Sequence, residues 1–266
     1  MPEIGDIKKE KRLSNNKRVR ILGIDIDVLT TAETVDIVEQ YIKTKTPLHL
    51  MGVNADKLNE SKKDPLMKEI VNSCGIVNAD GASVILASKY LSKNDILPER
   101  VAGIDLMMEL IKRCSEKGYS IYLLGAKQTV VEKTKKEILK LFPGLKIAGI
   151  HNGYFGYEDW PTVSKELNDS RPDIVFVGIT SPTKEYLIEY LQNNGHDEVF
   201  MGVGGSFDVI SKEIKRAPKW MQNMNLEWLY RLKQEPKRLL KRYFVGNNVF
   251  MYRIAKEKRE RRRSGK

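Results

Sequence analysis

The sequence predicts an α/β protein: a Rossmann-like parallel sheet with helices on both faces, plus a basic helical appendage at the C-terminus. Three observations predict it. Short apolar runs alternate with longer stretches whose apolar residues recur at helical spacing. Those short runs (LHLMGV, YSIYLLG, DIVFVGI, EVFMGVG) are apolar throughout, as strands buried on both faces must be. Charge is also divided: residues 211–266 carry 18 Lys and Arg against 5 Asp and Glu, in a chain of net charge +11.

Taken in order, VRILGIDI reads as a strand. TTAETVDIVEQYIKT reads as a helix, with Thr30 and Glu33 spaced as a capping box and Val35, Val38 and Ile42 on one side. LHLMGV is a strand, and ADKLNESKKDPLMKEIVNS a helix broken near Pro65. GIVNA is a short strand followed by two helices, GASVILASKYL and IDLMMELIKRCSEKG. YSIYLLG is a strand, VVEKTKKEILKLF a helix, and LKIAGI and DIVFVGI are strands. TKEYLIEYLQNN is a helix and EVFMGVG the last strand. Residues 1–18 read as a flexible basic tail, 19–210 as the α/β body and 211–266 as the appendage.

Composition excludes several classes. No run of 18 apolar residues is present, so no transmembrane helix is expected. The charged N-terminus lacks the apolar stretch of a secretory signal. Two isolated cysteines, Cys74 and Cys114, make neither a disulfide framework nor a metal knuckle, which fits a reducing cytoplasm. The basic C-terminus calls for a polyanion, either nucleic acid or the anionic inner leaflet of a membrane.

The tetrapeptide VNAD occurs twice, at 53–56 and 77–80, each time where an apolar run ends. In a parallel sheet, ligands sit beyond the carboxyl ends of the strands. The spacing allows one crossover, so the two ends can be neighbours. An Asn at such a place can cap a helix, and the acid arrives at the rim. Asp80 is the better candidate for chemistry, because Gly81 after it lets backbone approach a ligand. Asp56 reads equally well as a charge at a helix N-terminus. GVGGSFD places Gly204 and Gly205 between a strand and a helix start, where free N–H groups suit a phosphate. Asp25 and Asp27 resemble a metal-holding carboxylate pair, but nothing nearby completes a site. His49, His151 and His196 are scattered, with His151 and Tyr154 candidates for a rim.

NADGAS, LPERVAGIDLM, IYLLGA, HNGYF, MGVGGSFDVISKEIKRAP and LEWLYRLKQEPKR together resemble the WecG/TagA/CpsF family of bacterial glycosyltransferases, from about Val19 to about Phe244. The resemblance implies inverting transfer of a hexose, N-acetylmannosamine-type or related, from a UDP-sugar to a sugar carried on undecaprenyl diphosphate. It implies a role in teichoic acid or surface polysaccharide synthesis, on the inner face of the bacterial membrane, with no cofactor and no metal. By the same resemblance Asp80 is the catalytic base, and Asn54 and Gly81 contact substrate. Arg231 and Arg238 act in catalysis, and Lys241 completes a basic trio over the diphosphate. The chain departs from better-known members in three places. Gly52 stands for a Thr, Lys184 falls in a Lys-Gln-Glu run that here reads Thr-Lys-Glu, and Lys241 stands for an Arg. Lys184 is nevertheless retained as a substrate-binding candidate. A homo-oligomer is left open. The competing reading is a sheet-based binding module whose basic tail holds nucleic acid. Against it, the tail lacks a stacking or groove-reading motif.

Overall fold

The computed structural model describes residues 5–92, 94–224 and 226–263. The chain opens with a hairpin, β1 (Arg18–Ile21) and β2 (Ile24–Asp27), paired antiparallel as a separate two-stranded sheet. This corrects the reading of VRILGIDI as one strand. Leu22 and Gly23 both take positive φ, 51° and 82°, and reverse the chain in two residues. Leu22 accepts that conformation because its side chain is buried in the core.

The body follows the predicted alternation closely. Its elements are α1 (Thr31–Thr44), β3 (Leu48–Val53), α2 (Ala55–Ser61), α3 (Pro65–Ser73), β4 (Ile76–Ala79), α4 (Ala82–Leu91), α5 (Gly103–Lys117), β5 (Ser120–Gly125), α6 (Gln128–Leu141), β6 (Lys146–His151), α7 (Trp160–Ser170), β7 (Ile174–Gly178), α8 (Thr183–Asn193), β8 (Val199–Gly202) and α9 (Ser206–Ile210). The Thr30–Glu33 capping box forms at α1, and Gly118 in the left-handed conformation ends α5. Asp64 caps α3 with Pro65 in its first turn, which explains the break between α2 and α3. The sequence reading assigns no element between 151 and 173. Helix α7 is there, burying Trp160, Val163 and Leu167 at a spacing that was open to view.

Strands β3 to β8 form one six-stranded parallel sheet in the order β4-β3-β8-β7-β5-β6. Alternate strand residues feed opposite faces. Leu50, Ile76, Leu123, Phe176 and Met201 pack with α1, α5 and α6. On the other face, Met51, Val53 and Val77 pack with the hairpin, α2, α3 and α4, while Tyr122, Val175 and Phe200 pack with α7 and α8.

Beyond the sheet the chain forms α10 (Lys219–Asn223), α11 (Glu227–Gln234) and the long α12 (Pro236–Arg263). The far half of α12 is fastened to the body. Phe250 and Ile254 are buried with the hairpin and α2 core, and Arg253 donates to the backbone and side-chain oxygens of Asn59. Glu257 accepts from the backbone N–H of Leu22 at 2.8 Å. No helix among the described residues is long and apolar enough to cross a membrane.

Candidate active site

A parallel sheet brings every strand's carboxyl end to one edge, and β3 and β4 are neighbours there. Their register pairs Val53 with Ala79, so Asn54 of the first VNAD stands beside Asp80 of the second. The backbone N–H of Asp80 donates to the Val53 carbonyl at 2.8 Å. Asn54 leaves the strand and caps α2, its Oδ1 accepting from the N–H groups of Asp56 and Lys57 at 3.1 Å each. Gly81 lies against Asn54: a Cβ there would come within 3.0 Å of the Asn54 Cβ. Any larger residue at 81 pushes the two strand ends apart.

Asp80 is half-buried and held from one side. Its Oδ1 accepts from the N–H of Gly103 at 3.0 Å, one of the free donors at the start of α5. Val101 N–H donates to the Ala79 carbonyl at 2.9 Å, which ties that loop to β4. The other oxygen, Oδ2, lies 3.8 and 3.7 Å from where Cβ atoms of Gly52 and Gly103 would be. Two glycines thus leave space beside it. Burial raises the Asp80 pKa above the ordinary aspartate value. The Gly103 hydrogen bond and the charges of Arg100 and Arg231 pull it down, and Glu227 pushes it up. A carboxylate with a raised pKa and an open oxygen is suited to accept a proton from a hydroxyl.

Arg231 reaches this neighbourhood from α11. It lies on the same helix face as Glu227, with 3.7 Å between their charged atoms. Glu227 is buried and also meets Arg100 at 2.9 Å and Arg216 at 3.4 Å. Arg216 grips Asp105, in the first turn of α5, with two bonds of 2.7 Å. The C-terminal segment is therefore pinned by ion pairs to the loop that holds Asp80. The side chains of Arg238 and Lys241 lie outside the described residues.

The other candidates divide. Gly204 and Gly205 follow β8, which adjoins β3, so they lie on the same edge as Asn54. Gly204 has φ of 50° and open space where a side chain would be. Lys184 is 9% exposed and its stem lies across Gly202. Its ammonium meets Glu185 at 3.0 Å, and Lys57 pairs with the same carboxylate oxygen. Burial and the neighbouring Lys57 bring the Lys184 pKa down to about 8, while the two ammonium groups hold Glu185 at about 2 against its burial. Asp27 is structural: it takes Arg12 and Arg18 and accepts the N–H of Val77 at 2.7 Å. Asp25 faces Arg20 at 3.7 Å. Among the described residues no three His, Cys, Asp or Glu side chains gather as metal ligands. His151 ends β6 and Tyr154 lies in the loop after it; β6 is the far edge of the sheet from β4, about 24 Å away at ~4.8 Å per strand.

The model of the glycosyl transferase WecG/TagA/CpsF family matches residues 19–264. The chain belongs to that family. Three relatives, from Staphylococcus aureus strains MW2, NCTC 8325 and MRSA252, are each 33% identical over 249 residues, 93% of this chain and 96% of theirs. All three are named N-acetylglucosaminyldiphosphoundecaprenol N-acetyl-beta-D-mannosaminyltransferase.

The structure also brings near Asp80 three residues that the sequence reading passed over. Arg100 and Gly103 lie inside LPERVAGIDLM, and Glu227 inside LEWLYRL. Each belonged to a motif that carried the resemblance, yet none stands out by residue type or spacing. Arg100 meets Glu227 across 127 positions, and Gly103 meets Asp80 across 23.

Proposed function

We propose that this glycosyltransferase is an inverting enzyme that moves an N-acetylmannosamine-type hexose from a UDP-sugar to a sugar on undecaprenyl diphosphate. The observation that carries the reading is Asp80: a half-buried carboxylate with a raised pKa at the end of β4, one oxygen tied and the other facing two glycines. In the proposed step, Asp80 accepts the acceptor hydroxyl's proton as that oxygen attacks the anomeric carbon. The bond to UDP breaks on the opposite face of the sugar. Arg231, with Arg238 and Lys241 following it in sequence, meets the charge growing on the departing diphosphate. Asn54, Gly81, Gly204 and Gly205 line the same edge and support substrate contacts there.

The sugar itself rests on the relatives' names. Gly52 opens space next to Asp80, and Lys184 places a cationic stem where the family pattern has Gln. Both sit where they can alter sugar preference. The deciding experiment incubates the purified protein with a panel of UDP-sugars and a short-chain lipid-diphosphate acceptor, and follows the product's anomeric configuration by NMR. Transfer with inversion supports the reading, while retention or no transfer with any donor defeats it.

The C-terminal helices are proposed to hold the enzyme at the inner leaflet. Trp220, Met224, Trp228, Leu240, Phe244 and Tyr252 are exposed there among Lys and Arg residues. An apolar hollow of about 510 Å³ opens between α10 and α11, lined by Pro218, Trp220, Met221, Leu229 and Leu232 among others. Apolar groups with cations beside them suit a headgroup boundary, and each Lys or Arg near anionic lipid adds about 1 kcal/mol. Co-sedimentation with anionic vesicles, against retention on a nucleic-acid column at matched salt, separates this from the binding-module reading.

A further inference from the structure

We propose that Glu227 is a positioning residue of the transfer reaction: it holds Arg100 and Arg231 next to Asp80 while keeping both guanidinium groups off that carboxylate. The inference rests on the reading of Asp80 as base and Arg231 as diphosphate partner.

The geometry is that of one buried acid serving three separate segments. Glu227 is 6% exposed. Its Oε2 accepts from Arg100 Nη2 at 2.9 Å, and Arg100 belongs to the loop whose Gly103 binds Asp80. Its Oε1 faces Arg216 Nε at 3.4 Å and Arg231 Nη2 at 3.7 Å, and closes a hydrogen bond with neither. Arg216 is secured independently by Asp105. Among the described residues, Arg100 is secured by a bond, whereas Arg231 is held by charge alone across one helical turn. A group held in that way stays near the site and remains able to turn toward an arriving dianion.

Charge arithmetic gives the second half of the argument. Around this point stand Arg100, Arg216 and Arg231 against Glu227 and Asp105, with Asp80 alongside. Without Glu227, Asp80 remains as a carboxylate on which the charges of both Arg100 and Arg231 already act. Pairing with them would lower its basicity and occupy the oxygen that must take the proton. A partly buried ion group losing one partner does not stay as it was, because the uncompensated charges seek another. Glu227 thus performs two tasks with one carboxylate, orienting the cations and leaving Asp80 free.

The test uses the full-length protein with a UDP-sugar donor and a short-chain lipid-diphosphate acceptor. Glu227→Gln, Glu227→Asp, Arg231→Gln, Asp80→Asn and the Glu227→Gln/Arg231→Gln double variant are compared. Glu227→Gln is expected to lower kcat about tenfold or more, as a misplaced acid–base system does. The acid limb of its kcat/KM profile should move to lower pH, because the groups facing Asp80 would then be Arg100 and Arg231 without the opposing carboxylate. Glu227→Asp keeps the charge on a shorter arm, so it should restore the acid limb and most of kcat while raising KM for the donor. The double variant should lose less than the product of the two single losses, because only Arg100 is then left to turn toward Asp80. An unchanged acid limb and kcat in Glu227→Gln, with Arg231→Gln and Asp80→Asn impaired, overturns the proposal and leaves the base assignment standing. Wild-type turnover in Asp80→Asn overturns both. If Glu227→Gln fails to fold by circular dichroism, Glu227→Asp decides. A shortened arm that displaces the arginines raises KM for the donor, and wild-type kcat and KM in that variant overturn the inference.

Discussion

The two VNAD segments share four letters and differ in almost everything else. At 53–56 the strand stops at Val53, Asn54 caps α2, and Asp56 enters the helix's first turn on the side of α12, 3.9 Å from where a Gly246 Cβ would be. At 77–80 the strand continues to Ala79, Asn78 stays inside the sheet, and Asp80 alone reaches the edge. The offset is two residues, set by pairing Leu50 with Ile76 so that both feed the same core. Register against the neighbouring strand, rather than the local word, decides which polar residue reaches the sheet edge. The two copies then cooperate, since the offset places the Asn of one beside the acid of the other.

That comparison is broken most directly at Asp80. Asp80→Asn should cost roughly 10²-fold or more in turnover, the contribution of a positioned general base, with folding and UDP binding retained. Stopped-assay turnover beside calorimetric UDP binding checks both halves. The sign of the pH dependence also follows. Asp80 must be deprotonated to act, and its folded pKa is raised, chiefly by burial. Activity should therefore be lost, as pH falls, at a higher pH than an ordinary aspartate would give. An acid limb at or below the usual aspartate range would mean that another group carries the proton.

Most of the fold was legible because each strand's apolar run is short, continuous and flanked by helical periodicity. The exceptions have identifiable physics. The Leu22–Gly23 reversal hides inside an apolar run, since Leu is a poor turn signal and only tertiary burial supports its positive φ. At the candidate site, the meeting of Asp80, Asn54 and Gly81 was readable from their strand-end positions. Arg100 and Glu227 were not, because each is an ordinary surface-type residue in sequence, and their value comes from a contact across 127 positions. The Asn78 environment was misjudged for the same reason: an Asn at a presumed strand end suggests a cap, whereas the observed register buries it.

The two asparagines offer a smaller but cleaner contrast, read in stability. Asn54 satisfies two free N–H groups of α2. Asn54→Ala should cost about 1 kcal/mol, the usual loss of a helix cap. Asn78 accepts one contact from Thr34 at 3.3 Å, and its buried Nδ2 has no partner among the described residues. An unpaired buried donor costs about 1–3 kcal/mol. Asn78→Leu keeps the branch at Cγ and removes the unpaired donor, so despite its larger volume it should cost less than Asn54→Ala. Urea midpoints at constant slope measure both. Equal losses in the two variants would show that Asn78 has a partner that the fold does not reveal.

The smallest effect is expected at Asp56, and it tests the register argument at its weakest point. Asp56 occupies the first turn of α2, where a negative charge is worth about 0.3–1 kcal/mol against the helix dipole. Asp56→Asn removes that charge and keeps the side chain's shape. The same substitution is thus made at the same letter of the same word, once at the sheet edge and once in a helix turn. Position 56 should show a slightly lowered urea midpoint, diminished by salt since the side chain is partly exposed, and turnover within the scatter of wild type. The α12 side of Asp56 matters here, because a loosened helix would withdraw α11 and its Arg231 from Asp80. A fall in turnover that is reversed by raising donor concentration would point to that indirect route. A fall in kcat comparable to Asp80→Asn would instead place both acids in the chemistry, and register would no longer explain the difference between the two copies.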